Sequence, residues 1–306
     1  MNRIQADICL FTVVVCWALE FTILSKEPAG LPALAIETMT CFIGFALLML
    51  VFHKRITRNT NQKLCYKVLP LAILYLVYNM LYFESSRYLT PDVSELCTPI
   101  ALLFVQLFLS YVLGKKQNWQ KWLGGFLVVI GIFCSLDWSF PPLQTIGLYI
   151  ILGHGFSWAL FIVYMNRLAR NYDSLTLTAL MMGMVGVIGA TCWSLFFPGT
   201  FLVLEYNKHF LASVFADAYF ICIFANVLNI HTQRFSSPMD AVAIYSLEPT
   251  VLLLMSFALP SLVVETIEFK FANVISCIFV TTGVFVCSAD WSLFKGKLYK
   301  ARREEL

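Results

Sequence analysis

Ten long apolar segments are the feature of this sequence that most limits what it can fold into. Each is close to the ~20 residues that a helix needs to cross a lipid bilayer. Hydrophobic residues make up 59% of the chain and charged residues 13%, whereas soluble domains have about 45–50% and about 25%. We therefore predict an all-α integral membrane protein with ten transmembrane helices. The predicted spans are 8–25, 31–52, 67–86, 92–113, 120–136, 143–165, 175–197, 211–231, 239–260 and 270–289.

The lysines and arginines between these segments predict the orientation, because cytoplasmic loops collect positive charge. If the N-terminus is cytoplasmic, all but four of the 21 basic residues fall on the inside. The four exceptions are Lys26, Arg87, Lys208 and Lys270. Both termini and the 53–66 loop are therefore expected in the cytoplasm, and the 198–210 loop outside.

Three short patterns recur in the two halves of the chain. They are CWAL (16–19) and SWAL (157–160), RYLTP (87–91) and RFSSP (234–238), and CSLDWS (134–139) and CSADWS (287–292). The first segment thus has a counterpart in the sixth, which argues against a removable signal peptide. Because five spans per repeat is an odd number, the copies must cross the membrane in opposite senses, as in inverted-repeat transporters. The predicted units are a first five-helix repeat over 1–139, a second over 140–292 and a basic cytoplasmic tail over 293–306.

Longer passages resemble a known family. ESSRYLTPDVSELCTPIALLF (84–104), IHTQRFSSPMDAVAIYSLEPTVLLL (230–254) and WLGGFLVVIGIF (122–133) resemble the EamA-like branch of the drug/metabolite transporter superfamily, as does the WAL start of each half. The resemblance implies a ten-helix secondary transporter with a central cavity, moving small organic metabolites. It also suggests the inner (plasma) membrane of a bacterium. It does not identify the substrate.

Two departures from the family pattern concern charge. Where the family has a basic residue in the second helix, this chain has Glu37 in ALAIETM. Where an acidic residue is usual at the end of the fourth helix, Lys115 and Lys116 stand, whereas Glu265 is kept near the equivalent place in the second copy. The first departure reverses a cavity-side charge and favours a substrate that carries positive charge.

Acidic residues inside the apolar segments are candidates for contact with such a substrate. A charge near the bilayer centre costs at least about 2.5–3.5 kcal/mol, so it usually faces a cavity or a partner. Glu20 is replaced by Phe161 in the second copy, so the fold alone does not require it. With Glu37, Glu84 and Glu95 it would form an electronegative pocket toward the outer side. The alternative for Glu20 and Glu37 is a neutral carboxyl bonded to a neighbouring helix, and for Glu84 and Glu95 it is the outer water interface.

Aromatic side chains offer a second surface. Tyr75, Tyr78, Asn79 and Tyr82 are spaced by three or four residues and share one face of the third helix. Such a face beside carboxylates suits a cation or a flat heterocycle, and simple packing is the alternative.

Four other residues each have two open explanations. His154 is a proton-linked switch or a core histidine with satisfied hydrogen bonds. Asn226 is a ligand or a hydrogen-bond link between helices. Pro99 and Pro249 are gating hinges or structural kinks.

These patterns predict a secondary transporter for a cationic or zwitterionic metabolite. A further resemblance, to transporters of this superfamily that carry S-adenosylmethionine in intracellular bacteria, suggests exchange of that molecule for S-adenosylhomocysteine. The alternatives are amino-acid or drug export and, in another class, a channel or structural membrane protein. The candidate substrate-binding residues are Trp17, Glu20, Glu37, Tyr75, Tyr78, Asn79, Tyr82, Glu95, His154, Trp158, Asn226 and Glu248, and the candidate gating residues are Pro99 and Pro249.

Enzyme motifs do not stand out in this sequence. The ten cysteines form no C-x-x-C pair, and there is no metal motif, phosphate-binding loop or nucleophile elbow. We therefore expect no enzymatic activity, no cofactor, no metal and no nucleic-acid partner. The expected partners are the lipid bilayer and a small-molecule metabolite, with the protein a monomer or a homodimer.

Overall fold

The computed structural model describes residues 1–23, 31–136, 141–201, 208–258 and 270–288, and in these ranges every regular element is a helix. This confirms the predicted all-α class. The helices are α1 (Arg3–Ile23), α2 (Ala33–Asn59), α3 (Gln62–Ser85), α4 (Pro91–Cys97), α5 (Ala101–Leu107), α6 (Trp119–Ser135), α7 (Pro142–Ala169), α8 (Ser174–Phe196), α9 (Lys208–Asp217), α10 (Asn226–Thr232), α11 (Pro238–Tyr245), α12 (Glu248–Ala258) and α13 (Phe271–Ser288).

Seven helical stretches in the described part of the chain are long and apolar enough to cross a bilayer. They are Ala33–Asn59, Gln62–Ser85, Val93–Val112, Pro142–Ala169, Ser174–Phe196, Phe210–Thr232 and Pro238–Ala258. Two shorter apolar helices, Trp119–Ser135 and Phe271–Cys287, lie at the fifth and tenth predicted spans, and α1 lies at the first. The chain is therefore a multi-pass helical membrane protein.

The polar stretch predicted as a 53–66 loop is mostly helical, which corrects the sequence prediction. Helix α2 continues to Asn59 and α3 begins at Gln62. The Asn61 side chain caps α3 by accepting a hydrogen bond from the Leu64 N–H at 2.8 Å. A hydropathy window finds where the apolar residues end. Lysine and arginine are good helix formers, so the helix can continue past the last apolar residue.

Several sequence predictions fall wholly or partly on residues outside the described ranges. They concern the basic tail over 293–306, Lys26, Glu265, the 198–210 loop, the repeat boundaries at 139/140 and 292/293, and the ends of the predicted spans 8–25, 239–260 and 270–289.

The helices pack mainly across the two halves of the chain. Helix α6 packs most extensively against α13, α2 against α8, and α3 against α7, while α1 packs against α10, α11 and α12. Small residues allow the α6–α13 contact, because a Cβ placed on Gly124 would lie 2.5 Å from the carbonyl oxygen of Gly283. Such close approach at glycine is typical of helix pairs in membranes.

Two spans are broken at proline. A 3-10 turn, Thr98–Ile100, separates α4 from α5, and Pro249 follows the break between α11 and α12. Proline lacks the N–H that would bond the carbonyl four residues back. At the first break, the Glu95 carbonyl accepts a hydrogen bond from the Thr98 hydroxyl at 2.9 Å instead. Both predicted gating prolines thus lie at real interruptions of a helix.

A third interruption lies between α9 and α10. Residues Ala218–Ala225 form a π-helical stretch, and the Asn226 amide donates to the Ile221 carbonyl within it at 3.2 Å. Irregular backbone at membrane depth is tolerated where it is buried in protein or lines a cavity. Asn226 therefore supports the backbone of its own span.

Candidate functional site

Six of the predicted site residues form one aromatic cluster between α1, α3 and α7. The ring centroids are 6.2 Å apart for Trp17 and Trp158, 5.7 Å for Trp158 and His154, and 5.5 Å for His154 and Tyr82. Tyr78 lies 6.4 Å from Trp158 and 5.4 Å from Tyr75. The tyrosine face of α3 thus packs against Trp158, which in turn contacts Trp17. We call these six residues, together with Phe161 and Tyr245, the aromatic cluster.

Phe161 and Tyr245 belong to this cluster, and sequence reasoning missed both as site residues. The Phe161 ring lies 5.2 Å from Tyr78, and the Tyr245 ring lies 5.0 Å from Trp17 and stacks on Trp158 at 6.0 Å. Each had a signal in the sequence. Phe161 occupies the position of Glu20 in the second copy, and Tyr245 lies four residues before Pro249.

A buried polar network holds Tyr245. Its hydroxyl donates to Asn229 Oδ1 and accepts from Gln233 Nε2 at 2.9 Å. Asn166 Nδ2 donates in turn to Gln233 Oε1 at 3.0 Å. Satisfied buried networks rigidify the groups that they contain, so the Tyr245 ring forms a fixed wall of the aromatic cluster.

Two buried carboxyl groups lie next to this cluster. Glu95 is 3% exposed and Glu248 is 9% exposed. Glu95 Oε2 accepts a hydrogen bond from the Tyr82 hydroxyl at 3.0 Å. Glu248 lies within electrostatic range of both Glu95 and Glu20. Like charges this close are costly in a low-dielectric interior, so a cation or a proton must balance them.

Glu37 lies at the opposite end of the tyrosine face. Its carboxylate lies close to Tyr75 and accepts a hydrogen bond from Cys41 Sγ at 3.3 Å. Tyr75 and Tyr82 are seven residues apart, which is about 10 Å along a helix. Carboxyl groups therefore flank a strip of tyrosine rings about 10 Å long, and Asn79 lies beside Tyr78 in this strip.

Two of the sequence candidates lie in other surroundings. Asn226 bonds the π-helical stretch described above. Glu84, weighed as an interface residue, pairs with Arg87 at 3.1 Å and is 41% exposed. Glu84 therefore fits the alternative of a residue at the outer water interface.

Polar contacts join the ends of four helices at the predicted cytoplasmic side. Arg55 and Asp173 form an ion pair at 2.6 Å, and Lys67 Nζ donates to the Tyr172 hydroxyl at 2.8 Å. Partial burial raises the pKa of Asp173, but hydrogen bonds from Arg55 and Thr176 outweigh it and hold the pKa below its usual 3.8. These contacts connect α2 and α3 to the α7–α8 turn.

A separate cavity of about 430 Å³ lies between α12 and α13. Its lining is apolar apart from Thr250, Thr281, Thr282 and Cys277, and the Thr250 and Thr281 hydroxyls lie 3.0 Å apart. The aromatic cluster does not contribute to it. Within the described ranges, no group of three or more His, Cys, Asp or Glu side chains is arranged to hold a metal ion.

Comparison with known proteins supports the membrane-transporter class and the helical fold. The EamA-like transporter family, a family of transporters and not of enzymes, matches residues 4–136. A crystal structure of a protein 19% identical to this chain superposes with a TM-score of 0.71, over 94% of this chain and 98% of its own. That likeness shows the fold alone. No curated protein matches the chain. The motif resemblance is thus confirmed: residues 4–136 match the EamA-like transporter family, which is consistent with the drug/metabolite transporter superfamily.

Proposed function

We propose that this protein is a secondary transporter that moves a small cationic or zwitterionic organic metabolite by alternating access. The observation that carries the proposal is the strip of tyrosine and tryptophan rings with Glu37 at one end and Glu95 at the other. A cation over such rings gains about 0.5–2 kcal/mol. The carboxylates add charge-assisted hydrogen bonds.

The proposed frame is ten helices in two inverted five-helix repeats. Its support is the packing pattern, which is kept when the halves are exchanged. The fifth span packs on the tenth (α6 on α13) and the second on the seventh (α2 on α8). The contact of the third span with the sixth (α3 with α7) matches that of the eighth with the first (α10 with α1). A pseudo-two-fold axis between the repeats produces a packing pattern of this kind, and substrates of such transporters bind where the repeats meet.

The proline breaks fall in the fourth and ninth spans, which correspond in the two repeats. Glu95 and Glu248 lie beside these breaks. Movement at Pro99 or Pro249 would therefore shift a carboxyl group of the site together with the helix that carries it. This coupling makes the two breaks our candidate hinges for alternating access.

The specific substrate that we propose is S-adenosylmethionine, exchanged for S-adenosylhomocysteine. Its sulfonium and ammonium groups suit the carboxylates, and its adenine suits the aromatic cluster. The proposed setting is the inner membrane of a bacterium, with both termini cytoplasmic and the protein a monomer or homodimer. Amino-acid or drug export is the competing function.

Binding to the purified protein tests the substrate class. Thermal unfolding is followed by tryptophan fluorescence. S-adenosylmethionine should raise the melting temperature of the protein, and Glu37→Gln should reduce this increase. Glu84→Gln is the matched control, because that carboxylate is exposed and paired with Arg87. Stabilisation by neutral amino acids or drugs, with none by S-adenosylmethionine, would favour the competing function.

A further inference from the structure

Two buried polar atoms beside the aromatic cluster have no hydrogen-bond partner among the described residues. They are His154 Nε2 and Glu95 Oε1, on side chains that are 5% and 3% exposed. Tyr82 links them, since its hydroxyl bonds Glu95 Oε2 at 3.0 Å and its ring lies 5.5 Å from the His154 ring. Leaving a buried polar atom unpaired is costly. The pair therefore marks a place where a ligand can complete the hydrogen bonding.

The hydrogen-bond roles of these atoms follow from their neighbours. His154 Nδ1 lies 2.9 Å from the Tyr78 carbonyl oxygen. Because a carbonyl can only accept, Nδ1 carries the hydrogen, and Nε2 of the neutral ring is then an acceptor. A charged ring would bury an unpaired N–H and is the costlier state.

The second atom is also an acceptor. When Glu95 is ionised, the state that a bound cation stabilises, its Oε1 accepts hydrogen bonds and donates none. Two acceptors cannot satisfy each other, and no described residue offers either atom a partner within hydrogen-bond distance. An organic cation that brings N–H donors can bind both.

We propose that Glu95 and His154 bind a primary ammonium group of the transported substrate. One N–H donates to Glu95 Oε1 and another to His154 Nε2, while the third remains for other partners. This assignment rests on the proposed transport of a cation and deepens it, because it names the cationic group that the site selects. Aromatic rings alone would accept a quaternary ammonium equally. The two acceptors disfavour it, since full N-methylation removes every donor.

A pair of aromatic amines with equal charge tests the proposal. In N,N,N-trimethyltryptamine, three methyl groups replace the three ammonium N–H donors of tryptamine. The binding of both compounds to the purified full-length protein is measured by calorimetry. We expect the trimethyl compound to bind at least about tenfold more weakly, which corresponds to about 1.4 kcal/mol. In His154→Phe, tryptamine should lose most of this advantage and the trimethyl compound should bind as before. His231→Phe is the matched control, because His231 is an exposed histidine on α10.

Three results would overturn the ammonium site: equal binding of both amines, a preference that survives both His154→Phe and Glu95→Gln, or no saturable tryptamine binding at millimolar concentration. The comparison in the unmodified protein needs no variant to fold. The proposed substrate can fail separately. A clear preference for tryptamine together with no S-adenosylmethionine transport would keep the ammonium site and refute that substrate. Exchange of S-adenosylmethionine with no preference between the two amines would keep the proposed substrate and refute the ammonium site.

Discussion

The glycines on either side of His154 give a matched pair of variants, because only one of them touches a neighbouring helix closely. A Cβ at Gly155 would lie 2.4 Å from Ile100 Cγ2 and 3.4 Å from the Ala101 nitrogen. A Cβ at Gly153 would meet Leu81 Cδ1 at 3.5 Å, an ordinary contact. Gly155 therefore lets α7 approach the 3-10 turn at Pro99, and Gly155→Ala should push that turn away.

The size of the effect follows from these distances. Carbon atoms pack at about 3.5–4.0 Å, so Ile100 must move by roughly 1 Å. Its branched side chain has few alternative rotamers, which directs the movement to the backbone of the turn. Overpacking of this kind costs about 1–3 kcal/mol. Both variants gain the same helix propensity, up to about 1 kcal/mol, so the difference between Gly155→Ala and Gly153→Ala isolates the clash.

Thermal unfolding in detergent, followed by tryptophan fluorescence, measures this difference. We expect Gly155→Ala to unfold at a lower temperature than Gly153→Ala. Ligand binding should also weaken in Gly155→Ala, because Glu95 lies one turn before Pro99 on the displaced helix. Equal stability and equal binding in the two variants would refute the proposed contact between α7 and the broken span.

Three further predictions concern charge and topology. Glu20→Gln and Glu37→Gln should each weaken a cationic ligand more than a neutral analogue, by about 1–3 kcal/mol for a lost charge-assisted bond; equal losses in competition binding would mean that these residues only hold helices together. Arg55→Ala should cost less than about 1 kcal/mol, since its partner Asp173 is partly exposed. The hydrogen bonds to Asp173 outweigh its burial and lower its pKa below 3.8. The stabilising contribution of the Arg55–Asp173 pair is therefore present above pH 3.8 and is lost as the pH falls through the lower pKa of the folded state. A stability difference between the unmodified protein and Arg55→Ala that stays constant over this pH range would contradict the prediction. In a background without reactive cysteines, an impermeant thiol reagent outside the cell should label Gly199→Cys and spare Asn59→Cys, and the opposite pattern would overturn the inverted topology.

Helix positions were largely predictable from the sequence because a bilayer demands long apolar segments. The third predicted span, 67–86, lies within Gln62–Ser85 apart from its last residue, and the ninth, 239–260, overlaps Pro238–Ala258. Helix ends beyond the apolar part were not predictable from hydropathy, as α2 shows by continuing to Asn59. The prolines indicated breaks, but sequence gave no sign of the π-helical stretch Ala218–Ala225.

The site was predictable where its residues share one helix. Tyr75, Tyr78 and Tyr82 face one way because three- and four-residue spacing places them there. The periodicity of one helix does not predict which residues of another helix it contacts. Tyr245 and its hydrogen bond to Asn229 were therefore missed. The unpaired Nε2 of His154 could be recognised only once the Tyr78 carbonyl was placed against Nδ1.

Countertransport tests the central claim, that this protein is a metabolite exchanger, most directly. The purified protein is placed in liposomes that are empty or loaded with unlabelled S-adenosylmethionine or S-adenosylhomocysteine, and uptake of labelled S-adenosylmethionine is followed with and without a pH gradient. Because an empty carrier would have to occlude unpaired carboxylates, its return is slow. We predict uptake into loaded liposomes well above that into empty ones, with little effect of the pH gradient. Strong uptake into empty liposomes driven by the pH gradient alone would contradict the exchange mechanism.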